Sequence, residues 1–253
     1  MKIITFSTQK GGTGKTTCSL ALTFKLEKLK KKVLAVDLDA QGNLTNTLDV
    51  PVQNGGSFEV LNREKNIKDV IVKRNEYVSV LPFSEKLSVA DKFLDMVGKE
   101  YRLKEALEQV NDEYEYCIID TPPALGIVVM NAYSASDYIV IPIKSDDYYS
   151  LNSVPAIASS IESVKRYTNP NLKLLGFVLN EFNSRSSFAK QLCDTVADTA
   201  KSLNTIVFSS KITKGVAIAE NKALKENIFN KKSSNKAIVS LDEFTDELVE
   251  AIK

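Results

Sequence analysis

Histidine is absent from the 253 residues, which removes imidazole acid–base catalysis and histidine metal ligation from consideration. Cysteine is scarce: Cys18, Cys117 and Cys193 lie far apart and form no Cys-x-x-Cys pair. Zinc, iron–sulfur and disulfide frameworks are therefore unsupported. There is no apolar run of about eighteen residues, and the N-terminus opens directly into a strand-like segment. Neither a transmembrane span nor a signal peptide is expected, and the chain reads as cytoplasmic. Net charge is nearly absent as well, at +1, and no repeat, linker or low-complexity segment stands out. What remains is 43% hydrophobic and 26% charged, the composition of one α/β domain over residues 1–253 with a sizeable core.

The most informative stretch is Lys10-Gly11-Gly12-Thr13-Gly14-Lys15-Thr16-Thr17. It follows an apolar β-type run from Ile3 to Ser7 and precedes an amphipathic segment from Leu20 to Leu29. Strand, glycine-rich loop and helix are the setting of a phosphate-binding P-loop. Glycines let backbone N–H groups close round an anion, and the helix aims its positive N-terminus at the same point. Lys15 is expected to reach the β- and γ-phosphates of ATP, and the Thr16 hydroxyl to ligate Mg²⁺.

Lys10 is extra to the general P-loop pattern. In the form Lys-Gly-Gly-x-Gly-Lys-Thr-Thr the stretch resembles the deviant Walker A ATPases, the ParA/MinD family, and within it the ParA/Soj-type partition ATPases. The resemblance covers essentially the whole chain. It implies a doubly wound, mostly parallel sheet with helices on both faces. It also implies that Lys10 crosses the interface of an ATP-sandwich homodimer to touch the partner's phosphates, much as an arginine finger does.

Val33 to Ala40 is an apolar run carrying Asp37 and Asp39 at its end, followed by Gln41-Gly42-Asn43. Carboxylates at the C-terminal edge of a parallel strand stand where ligands bind in doubly wound sheets. The run resembles the family's Asp-x-Asp-Pro-Gln-Gly-Asn, with Ala40 in place of proline. The resemblance implies that Asp39 orients the attacking water and that Asp37 lies near the metal. Two carboxylates at a strand edge can also do no more than begin a loop.

Tyr116 to Asp120, closed by Thr121-Pro122-Pro123, is a Walker B arrangement in which Asp120 holds Mg²⁺ through its water shell. Further strands are expected at Tyr77–Pro82, Tyr138–Ile143, Leu174–Asn180 and Thr205–Phe208, and helices at Tyr101–Val110, Val154–Tyr167 and Leu241–Ile252. Asn180 ends its strand where the family contacts adenine, although a strand-end Asn serves equally as a turn residue. Relatives carry a Pro-Arg-Asn loop near the base; Thr213, Lys214 and Gly215 occupy that place here, leaving backbone contacts as the expected mode.

The near-neutral total hides a polarity. Lys211, Lys214, Lys222, Lys225, Lys231, Lys232 and Lys236 face only Glu220 and Glu226, whereas the last segment carries Asp242, Glu243, Asp246, Glu247 and Glu250. Lysine-rich runs are commonly plain solvated surface. The resemblance implies more: Arg185 falls on a DNA-contacting family position, a second arginine is replaced by Ala217, and Lys211, Lys214 and Lys222 are expected to supply the missing charge.

Three functions compete within the family. A partition ATPase binds DNA without sequence preference as an ATP dimer and is reset by a ParB-type centromere-binding partner. A membrane-positioning ATPase needs a basic C-terminal amphipathic helix, and here that helix is acidic. An iron-protein relative needs bridging cysteines that these three do not match. The partition reading is preferred, with nucleoid association, slow basal turnover and a plasmid, chromosome or protein cargo. With the P-loop starting at residue 10, no N-terminal helix-turn-helix domain is expected.

Overall fold

The computed structural model describes residues 1–93, 97–230 and 233–253, without the side chains of Phe93, Tyr148, Tyr149, Ser150, Asn221 and Lys222. Eight strands form one sheet: β1 (Lys2–Phe6), β2 (Val33–Asp37), β3 (Val72–Lys73), β4 (Val78–Leu81), β5 (Tyr116–Asp120), β6 (Tyr138–Lys144), β7 (Lys173–Asn180) and β8 (Ile206–Val207). Their order is β3-β4-β2-β5-β1-β6-β7-β8, and every pairing is parallel except β3 with β4. The central strands are buried on both faces, as in the five residues of β2, so they read as unbroken apolar runs rather than alternating ones.

The chain leaves β1 on one side to build β2 and β4, then returns through β5 and continues on the other side from β6. The connections therefore diverge at β1, and the crevice beyond its C-terminal end is where such sheets bind ligands. Register places Asp37 opposite Asp120 on neighbouring strands, so both Walker-type carboxylates reach the same edge.

Each face of the sheet carries its own core. One packs the helices Arg102–Glu108, Ile127–Ala135, Val154–Tyr167 and Ser187–Ser202 through residues such as Leu107, Tyr133, Ile157 and Val196. The other packs the P-loop helix Lys15–Lys28 and the last helix Lys236–Ala251 through Leu22, Leu26, Phe244 and Leu248.

Two helices differ from what the sequence leads one to expect. The segment from Leu20 to Leu29 is not amphipathic in its setting: its helix begins at Lys15 and is buried continuously from Cys18 to Leu26, because sheet and last helix enclose it from opposite sides. Lys25 lies within that buried stretch, its side chain 6% exposed, and is met by Asp242 at 2.7 Å and Asp246 at 2.6 Å. The last helix starts at Lys236 rather than Leu241, capped by the Asn235 side chain, which accepts from Ala237 N at 3.0 Å. Its apolar face, Leu241, Phe244 and Leu248, is already core, and Glu247 accepts from the Ser209 and Ser210 N–H groups. No helix of the described residues is long and apolar enough to cross a membrane.

Candidate nucleotide site

The loop between β1 and its helix turns through two left-handed glycines, Gly12 (φ 74°) and Gly14 (φ 108°). A Cβ on Gly11 or Gly12 would meet nothing within 4 Å, so the loop backbone stands open to the cleft. Gly14 differs, since a Cβ there would lie 2.3 Å from Asn180 Nδ2. That amide donates to the Thr13 carbonyl at 2.8 Å, tying the end of β7 to the glycine loop. Thr13 turns inward, with its hydroxyl on Thr8 Oγ1 at 2.8 Å.

The cleft has a volume of about 640 Å³, and Gly11, Gly12, Gly14, Lys15, Thr16, Thr17, Asp39 and Asn180 are among its lining. Lys15 is nearly buried and donates to the Lys10 carbonyl at 3.1 Å. Burial lowers its pKa, and Asp120 and Asp39 act in the opposite sense. Thr16 donates to Asp120 Oδ2 at 2.6 Å, and Ser19 to Oδ1 at 3.3 Å. Asp120 is fully buried; loss of solvent, with Asp37 adding repulsion, pushes its pKa up to about 7.

Asp37 does not line the cleft. It accepts from Thr45 N at 2.8 Å, Thr45 Oγ1 at 2.7 Å and Asp39 N at 3.2 Å, and burial raises its pKa to about 6. Its carboxylate therefore fixes the turn that presents Asp39. Thr45 was not singled out from sequence, and nothing in its local pattern distinguishes it.

A second cleft of about 610 Å³ shares Thr17, Asn180 and Glu181 with the first and continues past Thr213, Lys214 and Gly215. The three loop residues named for the base thus border the same continuous depression as the glycine loop. Lys10 pairs with Asp147, while Lys214 reaches Asp146 at 3.3 Å and Glu181 at 3.1 Å. Sequence reasoning missed Asp146, Asp147 and Glu181. The first two lie just past the C-terminal end of β6, the same signal that drew attention to Asp37 and Asp39.

Of the residues expected on DNA, Arg185 is exposed on the loop after β7, and Lys211 lies over the Phe182 ring at 4.6 Å from its centroid. Phe182 pairs with Thr213, which brings the two segments side by side. Lys214 is instead held by carboxylates. The Lys222 side chain, together with Lys231 and Lys232, lies outside the described residues.

No group of three or more His, Cys, Asp or Glu could hold a metal among the described residues. The donors that converge are the oxygens of Thr16 and Asp120, too few to cage a cation but suited to Mg²⁺ completed by phosphates and water.

Sheet order, switch point and glycine loop define a P-loop nucleoside-triphosphatase fold. A family profile described as an AAA domain matches residues 1–174. The chromosome partitioning protein ParA of Myxococcus xanthus is 35% identical over 199 residues, covering 77% of this chain and 70% of that protein. The sporulation initiation inhibitor protein Soj of Bacillus subtilis is 33% identical over 223 residues, 87% of each chain. Among solved structures, the cobyrinic acid a,c-diamide synthase of Mycobacterium smegmatis with bound ADP and magnesium superposes with a TM-score of 0.84 at 27% identity, over 99% of this chain and 94% of that one. The chain belongs to the ParA/Soj family of P-loop ATPases.

Proposed function

We propose that the protein is an ATP-driven partition switch: ATP and Mg²⁺ assemble a sandwich homodimer, the dimer holds non-specific DNA of the nucleoid, and a ParB-type partner triggers hydrolysis and release. The observation that carries this is Lys10, the neighbour of the cleft-lining Gly11, whose ammonium pairs with Asp147 past the end of β6.

Backbone N–H groups of Gly11 to Thr17 cradle the phosphates, and Lys15 neutralises the β- and γ-groups. Thr16 and Asp120 would hold Mg²⁺, which would offset the negative charge of the phosphates. Asp39 lines the cleft and accepts a water proton in its hydrogen bond, which orients the oxygen for in-line attack. Asn180 keeps the loop and base cleft in register, while Thr213 and Gly215 offer backbone contacts to the adenine. Lys10 leaves Asp147 to reach the partner's nucleotide, so a second copy completes each site. With Asp39 as the group that orients the water, basal turnover should be slow until a partner stimulates it.

Arg185 and Lys211, on segments that the Phe182–Thr213 bridge brings together, supply positive charge to DNA, with Lys222 added from its place in the sequence and Lys214 contributing once its carboxylates are displaced. Membrane docking is disfavoured because the last helix has its apolar face in the core and acids on its polar one. Gel shifts with ATP or ADP over a salt series test the reading. Binding should need ATP, ignore sequence and weaken steeply with salt. Arg185→Glu combined with Lys211→Glu should remove it while light scattering still reports the ATP dimer. An ATP dimer that ignores DNA and pellets with anionic vesicles would replace this reading with the membrane one.

A further inference from the structure

Three cations are buried among the described residues: Lys15, Lys25 and Arg102. Lys15 has Asp120 and Asp39 nearby, and Lys25 has Asp242 and Asp246. Arg102 is 5% exposed and pairs with no carboxylate among the described residues. Its Nη1 makes one long hydrogen bond to the Leu61 carbonyl, 3.4 Å, and its Nε is closed to solvent and lacks any partner. A guanidinium held this way is costly, because a buried charge must be compensated by a counter-charge or a full set of acceptors.

Arg102 opens the helix Arg102–Glu108 and borders a pocket of about 270 Å³ lined also by Arg63, Lys65, Asn66, Glu105 and Gln109. The wall carries three cations and one carboxylate, and that carboxylate, Glu105, is engaged by Arg63 at 2.5 Å on the rim. None of these residues lines the nucleotide clefts.

We propose that this pocket is a second ligand site that binds a carboxylate against Arg102, supplied either by a free dicarboxylic acid or by an acidic side chain of a protein partner. The Nε edge of a guanidinium takes two oxygens in one plane, which matches a carboxylate. Phosphate is less suited, since the site has no glycine loop to wrap a tetrahedral anion. The volume is too small for a nucleotide. Because solvent does not reach Nε, the wall of the pocket around Arg102 shifts as the ligand enters.

The full chain is titrated with sodium succinate, with a short acetylated poly-glutamate peptide and with sodium phosphate, each against sodium chloride of equal ionic strength. Thermal shift is the readout, and every shift is taken as wild type minus Arg102→Met, so that anions on the phosphate loop cancel. A ligand at ten times its Kd should raise the difference by roughly 3 °C. Arg102→Met alone should melt above wild type, since an apolar chain of similar length replaces an unpaired charge. Glu105→Gln, by removing the one competing carboxylate, should tighten succinate several-fold. A response to succinate identifies a free acid, and one confined to the peptide identifies a partner's side chain. Three results overturn the proposal: equal shifts in wild type and Arg102→Met, a phosphate difference as large as the carboxylate one, or an Arg102→Met protein that melts below wild type.

Discussion

Replacing Asp120 by Asn should stabilise the nucleotide-free protein in alkaline solution while destroying its response to Mg²⁺ and ATP. Asp120 is fully buried beside Asp37, and its pKa is pushed up to about 7 from an ordinary 3.8. A carboxyl group whose folded pKa is raised binds its proton more tightly in the native state. Its contribution to stability is therefore complete below about pH 4 and is lost as pH rises through about 7. At about 1.4 kcal/mol per pKa unit, the full loss is on the order of 4 kcal/mol. Asn keeps the size of Asp and an oxygen for the Thr16 hydroxyl, 2.6 Å away, but cannot ionise. With about 2–4 °C of Tm per kcal/mol for a chain of this length, the variant should melt roughly 8 °C or more above wild type near pH 8. The gap should close towards pH 4. Scanning fluorimetry in magnesium-free buffer across this range measures it, and adding MgATP should raise the wild-type Tm but not the variant's. A variant that melts below wild type equally at both ends of the range would falsify the claim that this carboxylate awaits a cation.

Lys15→Ala should abolish ATP binding by calorimetry, because the phosphate charge loses its main partner. Gly14→Ala should destabilise by about 1–3 kcal/mol from φ alone, with more from the collision with Asn180, measured by urea denaturation. Asp39→Ala should bind ATP as wild type yet hydrolyse it at least about tenfold more slowly in a phosphate-release assay, and light scattering should show dimer accumulating. Unchanged turnover would remove Asp39 from the mechanism.

The parallel strands and the order of the three nucleotide motifs were legible because their cause is local: unbroken apolar runs, glycines at left-handed positions and aspartates at strand ends. The length of the P-loop helix was not. Its apolar residues encircle it, and only the last helix, more than two hundred positions later, explains why they are buried. Asn180 shows the same limit. Its position at a strand end was visible, but its bond to Thr13 joins residues 167 apart and leaves no mark in either neighbourhood. Lys214 looked like one more member of a basic run, and only the fold reveals that Asp146 and Glu181 hold it.

The last helix also bears on how such a protein can change its attachment. Here Phe244 and Leu248 are part of the core against the P-loop helix, Asp242 and Asp246 neutralise a lysine buried there, and Glu247 caps two backbone N–H groups. Refitting that segment for lipid would expose Lys25 uncompensated and loosen the helix that begins at Lys15. A change of charge at Arg185, exposed on the loop after β7, would by contrast leave that core untouched.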